Sequence, residues 1–155
     1  MKTLVLGLGN EMLTDDGIGI KLAKNLEEIH ASKDVVYQSS AIGGMELIEL
    51  IRDYDKLIVI DATKTGERQP GEVFHMTLPD FEETLHLSSF HDMSFQTMLK
   101  FSKQLGIEVP EQIDIIGIEI KEDLTFSNDY SHQIAGKYHQ VFEKVSELFH
   151  KIIKE

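Results

Sequence analysis

An α/β fold, with a parallel or mostly parallel sheet carrying helices on both faces, is what this sequence predicts. Three observations carry that expectation. Segments of strand-forming residues alternate with segments whose apolar residues recur at helical spacing. Two strand segments, 56–61 and 113–120, place apolar residues on both faces, as strands in the middle of a parallel sheet must. The 155 residues contain no internal repeat, low-complexity tract or linker, so 1–155 reads as a single domain.

In order, residues 3–8 are a short run of strand formers closed by Gly7 and Gly9. Thr14-Asp15-Asp16 then supply capping side chains and charge suited to a helix N-terminus, ahead of Ile18, Leu22, Leu26 and Ile29 at helical spacing. Residues 35–38 read as a second strand. Gly43-Gly44 breaks the chain before Met45, Leu47, Ile48 and Ile51, which share one helix face. Residues 56–61 are the clearest strand, and Asp61 ends it. Gln69-Pro70-Gly71 has Pro and Gly in type II order and leads into an edge strand over 73–78. Phe95, Met98, Leu99 and Leu105 predict a helix over 91–105, followed by the strand over 113–120. Ile134, Tyr138, Val141, Val145, Leu148 and Ile152 line one face of a long closing helix.

Composition removes several function classes. Fifteen basic against 27 acidic residues leave a net charge of −12, the opposite of the footprint that a nucleic-acid binder needs. Only two arginines, Arg52 and Arg68, are available for phosphate clamps. No cysteine occurs, which excludes disulfides, thiolate metal sites and thiol nucleophiles. The apolar start is interrupted by Asn10-Glu11 and Asp15-Asp16, too early for a signal peptide, and no window is long enough to span a membrane. A cytoplasmic protein without membrane or nucleic-acid partners is expected.

In doubly wound sheets, ligands bind beyond the carboxyl ends of the strands. Gly7-Leu8-Gly9 opens like a dinucleotide loop, but Met12 stands where the third glycine belongs, and no Gly-Lys-Ser/Thr follows. A tight backbone turn is the remaining reading, with no organic cofactor. Asp15 and Asp16 suit either an N-cap or a site. Asp61 is harder to explain structurally, because a carboxylate at the end of an apolar strand is costly without a partner. Among the histidines, His30 and His150 read as surface residues, and His132 and His139 are too far apart for one ion. His75 suits either side of a strand. His86 and His91 remain, and His91 is the better placed, near a helix start. Nucleophile-elbow, Ser-x-x-Lys and His-Glu-x-x-His motifs are absent. Two carboxylates and an imidazole from separate segments can hold a divalent ion, or position and deprotonate a water. That describes a hydrolase-like site.

The pattern resembles a known family. Leu6-Gly7-Leu8-Gly9-Asn10, four residues, then Asp15-Asp16-Gly17-Ile18-Gly19 is similar to the opening signature of the hydrogenase maturation endopeptidases. The match continues through Gly44-Met45-Glu46-Leu47, Val59-Ile60-Asp61-Ala62, Gly66, Pro70-Gly71 and Ser89-Phe90-His91. The resemblance implies a three-layer α/β/α sandwich around a five-stranded, mostly parallel sheet. It also implies removal of a C-terminal extension from a nickel–iron hydrogenase large-subunit precursor after nickel insertion, by a monomer. On that resemblance Asp16, Asp61 and His91 are both the catalytic set and the metal ligands, toward nickel presented by the substrate. The family is described both as nickel-dependent and as aspartic-type. One departure stands out: Ser39-Ser40-Ala41-Ile42 replaces an Asp-Gly-Gly-Thr-like stretch that many members carry, which bears on substrate preference. Two rival readings are a receiver-like phospho-acceptor domain, built on Asp16, Asp61 and Lys121, and a non-catalytic small-ligand module.

Overall fold

The computed structural model describes residues 1–89 and 92–155. Five strands form one sheet: β1 (Thr3–Leu8), β2 (Val35–Ser40), β3 (Lys56–Thr63), β4 (Val73–Thr77) and β5 (Gln112–Glu119). Their spatial order is β2-β1-β3-β5-β4, and every neighbouring pair is parallel except β4, which runs antiparallel along the edge of β5. The helices are α1 (Ile18–His30), α2 (Glu46–Ile51), α3 (Phe95–Gln104), α4 (His132–Ala135) and α5 (Tyr138–Ile153).

Alternation along the strands explains why both faces are covered. Leu4, Leu6, Leu57, Val59, Ile113 and Ile115 face α2 and α3, meeting Leu47, Ile48, Ile51, Phe95, Met98 and Leu99. Val5, Ile58, Ile60, Ile116 and Ile118 face the other way, against Ile18, Leu22 and Leu26 of α1 and Val141, Val145 and Phe149 of α5. Each such side chain contributes roughly 1.5–3 kcal/mol of transfer free energy. The result is the expected three-layer α/β/α sandwich.

Because β2 lies on one side of β1 and β3 on the other, the strand order reverses between β1 and β3. That reversal opens a crevice at the carboxyl ends of these two strands. The opening glycines bring the chain into it. Gly9 has φ 149°, and a Cβ there would fall on the carbonyl oxygen of Asp16. A Cβ on Gly19 would collide with the Ile60 carbonyl and sit 2.6 Å from that of Leu8. Only glycine lets the start of α1 rest directly on the ends of both strands.

Several expectations are corrected. β3 continues two residues past Asp61, to Thr63. The helix expected over 91–105 begins at Phe95, capped by Ser94, whose hydroxyl accepts the Thr97 N–H at 3.2 Å; Asp92, at φ 61°, cannot lie in a right-handed helix. The closing helix is divided at Gly136-Lys137, where glycine's poor helix propensity coincides with the break. Phe149, rather than Leu148, joins Ile152 as a buried residue of its last turns, and Ile29 is exposed. Lys56, at the start of β3, is fully buried and donates its ammonium to the Ile152 carbonyl in the last turn of α5, where a positive charge suits the helix C-terminus; the same carbonyl accepts the Glu155 N–H at 3.2 Å.

Candidate active site

Asp61 is fully buried near the carboxyl end of β3, yet its charge is well satisfied. The Ala62 N–H donates to Oδ1 at 2.9 Å, while the Thr84 hydroxyl and the His86 N–H donate to Oδ2 at 2.6 and 2.8 Å. The irregular segment after β4 is held here by its backbone, through Leu85 N–H to the Ala62 carbonyl at 3.0 Å.

Asp16 sits on a 3₁₀ turn, Thr14–Gly17, between β1 and α1. The Asn10 N–H donates to its Oδ2 at 2.8 Å. Among the described residues nothing donates to its Oδ1, which leaves one oxygen of the pair for a water or a ligand.

His86 joins the two acids. Its Nδ1 is 2.8 Å from Asp61 Oδ1 and its Nε2 is 3.3 Å from Asp16 Oδ2. Burial pulls this imidazole toward its neutral form. Hydrogen bonds and attraction from Asp16 and Asp61 outweigh burial and push its pKa up to about 10. Two nearby carboxylates repel each other unless a cation lies between them, and His86 is that cation.

Asp15 does something else. It is fully buried and accepts from Lys121 N–H (3.1 Å), Glu122 N–H (2.8 Å), Ser131 N–H (2.7 Å) and the Ser131 hydroxyl (2.7 Å). It caps no helix; it latches the 121–131 loop beside Asp16. Thr14 adds its N–H to the Ser127 carbonyl at 3.0 Å and its hydroxyl to the Thr125 carbonyl at 2.6 Å. The pinned loop displays Leu124 and Phe126, 79% and 78% exposed, with Met12 close to it through Ser127 N–H to the Met12 carbonyl at 2.9 Å.

Of the three residues expected from the resemblance, Asp16 and Asp61 come together and His91 lies outside the described residues. His86, passed over in favour of His91, is the imidazole seen between the acids. The Ser39–Ile42 departure does border the site: the Gly9 N–H donates to the Ser40 carbonyl at 3.1 Å, and a Cβ on Gly43 would lie 3.0 Å from the His86 carbonyl. The receiver reading needs Lys121 beside Asp61, but Lys121 is exposed and the partners of Asp61 are Ala62, Thr84 and His86. His75 proves half-buried and pairs with the buried Asp114 at 2.7 Å, while His30 stacks on Phe149 rather than standing free at the surface.

Two carboxylates and an imidazole are the donor types that a divalent ion takes. Among the described residues, however, no three His, Asp or Glu side chains converge to hold one ion. No helix among them is long and apolar enough to cross a membrane.

Comparison with known proteins adds an independent line. A family model described as hydrogenase maturation protease matches residues 20–148. The hydrogenase 2 maturation protease of Escherichia coli (strain K12) is 31% identical over 122 residues, covering 76% of this chain and 73% of the relative. The hydrogenase expression/formation protein HupD of Rhodobacter capsulatus is 26% identical over 151 residues, 95% of this chain and 71% of the relative. Among solved structures, the hydrogenase maturating endopeptidase HybD from E. coli shares the fold, with a TM-score of 0.73 at 24% identity, covering 97% of this chain and 93% of that one. A hydrogenase 2 maturation peptidase from a Thaumarchaeota archaeon superposes with a TM-score of 0.65 at 26% identity, over 96% and 98% of the two chains.

Proposed function

Because this chain belongs to the hydrogenase maturation protease family, we propose that it is the endopeptidase that trims the C-terminal extension of a nickel–iron hydrogenase large-subunit precursor once nickel is in place. The observation that carries the proposal to particular residues is the meeting of Asp16 and Asp61 at the strand-order reversal, 3.3 and 2.8 Å from the two ring nitrogens of one imidazole. Action as a monomer is part of the same proposal.

In this reading the nickel is part of the substrate, and when it arrives it supplies Lewis-acid polarisation of the scissile carbonyl. The protein's own groups divide the remaining work. Asp61 is fixed by its donors and acts as an immobile negative charge. Asp16, whose Oδ1 takes no donor from the described residues, accepts the proton of the attacking water. The backbone N–H groups of Asn10 and His86 hold the two carboxylates in position, so their geometry does not depend on flexible side chains alone. His91 remains a proposed third ligand on the resemblance.

The test is incubation with a nickel-loaded large-subunit precursor, followed by intact mass. Loss of the extension with the wild-type chain, and none with Asp61→Asn, supports the proposal. Wild-type processing by Asp61→Asn removes Asp61 from the mechanism. A small-ligand binding module would leave every precursor uncut.

A further inference from the structure

We propose that the His86 ring is a placeholder that keeps free divalent ions off the Asp16–Asp61 pair and gives way only to nickel already seated in the precursor. The inference rests on the reading that these two carboxylates receive the substrate's nickel.

The reasoning begins with selectivity. Carboxylate and imidazole donors bind copper more tightly than nickel and also accept zinc, so affinity alone would not reserve an open pair of acids for nickel. The chain's net charge of −12 worsens the problem by concentrating cations around it. Affinity cannot solve this; prior occupancy can.

The geometry supplies an occupant. The ring takes Asp61 Oδ1 at 2.8 Å and approaches Asp16 Oδ2 at 3.3 Å, so it uses one oxygen of each acid that an ion would need. Among the described residues no group of three or more His, Asp or Glu side chains is placed to hold an ion.

The ring can also leave without dismantling the site. The backbone of its segment is anchored separately, by His86 N–H to Asp61 Oδ2 at 2.8 Å and Leu85 N–H to the Ala62 carbonyl at 3.0 Å. Its side chain keeps 18% exposure, whereas that of Asp61 has none, so rotation about the side-chain torsions has a path toward solvent. A free ion offers the acids only water to complete its shell. A nickel centre in the precursor brings its own ligands and a docked peptide, and this extra binding energy displaces the ring.

The experiment is calorimetric titration of the purified full chain with Zn(II) alone and Ni(II) alone, for wild type, His86→Ala and the Asp61→Asn, His86→Ala double variant. A seat occupied by the ring about nine-tenths of the time weakens apparent affinity about tenfold, so His86→Ala should gain at least that factor. The double variant should lose the gain. Unchanged or weaker ion binding by His86→Ala overturns the proposal, since the ring is then a bystander or a ligand. Nitrogen NMR of the His86 ring in the zinc-titrated wild type gives a second reading. Ring nitrogens that keep their ion-free shifts at the zinc concentration that half-saturates His86→Ala support the placeholder, and a displaced ring or a metal-bound nitrogen at that concentration overturns it. If Asp61→Asn still processes precursor, the reading of the site has failed. If it does not, and His86→Ala gains no affinity, only the placeholder has failed.

Discussion

Asp15→Asn separates two accounts of the acidic pair that opens α1. If Asp15 were an N-cap, the change would be close to neutral, because Asn and Asp cap almost equally well. The structure makes it a latch whose two oxygens accept four hydrogen bonds, and an amide cannot replace that. Oδ2 takes Lys121 N–H, Glu122 N–H and the Ser131 hydroxyl, and Oδ1 takes Ser131 N–H. In the better orientation the amide oxygen keeps the three bonds at Oδ2 and turns its NH₂ against the Ser131 N–H. That loses one hydrogen bond to a charged group, about 1.5–3 kcal/mol, and leaves the part-buried Ser131 N–H facing a second donor at a further cost of about 1–3 kcal/mol. The three surviving bonds weaken as the charge disappears, while the wild type's own cost of burying that charge is relieved. The net expectation is a loss of about 3–5 kcal/mol, or a Tm lower by roughly 6–20 °C for a chain of this size. Urea unfolding followed by far-UV circular dichroism measures the first quantity. Amide exchange at Lys121, Glu122 and Ser131 should accelerate in parallel. A loss below about 1 kcal/mol, with those amides still protected, would refute the latch and restore the cap.

Gly19→Ala should destabilise by about 1–3 kcal/mol or more, because its Cβ meets the strand-end carbonyls of Leu8 and Ile60; a Tm equal to wild type would mean that α1 does not rest on them. The paired change Leu124→Ser, Phe126→Ser should leave stability within about 0.5 kcal/mol, since both are exposed, yet raise KM for the precursor at constant kcat. An unchanged KM would mean that the latched loop does not meet the substrate. Stability should fall on both sides of neutrality. The pKa of His86 is raised on folding to about 10, so its contribution is complete below its unfolded value of about 6.5 and is lost as pH rises through about 10; His86→Gln should flatten that alkaline limb. The pKa of His30 is lowered by burial and then by His150, so its contribution is present above about 6.5 and is lost as pH falls through the lowered value. His30→Gln should therefore flatten part of the acid limb, and urea midpoints across pH would check both.

The parts of this molecule legible in the sequence are those written in short-range pattern. Residues 56–61 and 113–120 announce buried parallel strands, and Gly7-Leu8-Gly9 announces a tight backbone turn. Asp61 was visible because a charge at the end of an apolar run needs a reason. The missed parts depend on partners far along the chain. Asp15 looks like a cap locally, but its donors lie 106 to 116 residues away. Lys56 looks like a polar strand start, and its acceptor is 96 residues distant. His86 lies in a stretch without helical or alternating period, and hydrogen bonds to Asp61 and Ala62 place it there. The only local trace is Thr84-x-His86, two polar residues on alternate positions, which no periodicity rule singles out.

These long-range partners share a physical logic that bears on how the site works. A carboxylate removed from water keeps its charge only if donors replace the solvent. Asp15 receives loop N–H groups and becomes structure. Asp61 receives backbone and hydroxyl donors plus an imidazole and becomes a fixed charge. Among the described residues, Asp16 receives one backbone N–H and a share of the same imidazole, the fewest donors of the three. Availability for chemistry therefore rises as the number of permanent donors falls, and Asp16 is the acid with capacity left for a proton. On this ordering, Asp16→Asn should cost less stability than Asp15→Asn while abolishing cleavage. The same two measurements, unfolding and precursor processing, decide it. A destabilisation equal to that of Asp15→Asn, with cleavage retained, would place Asp16 among the structural acids and leave the attacking water without its base.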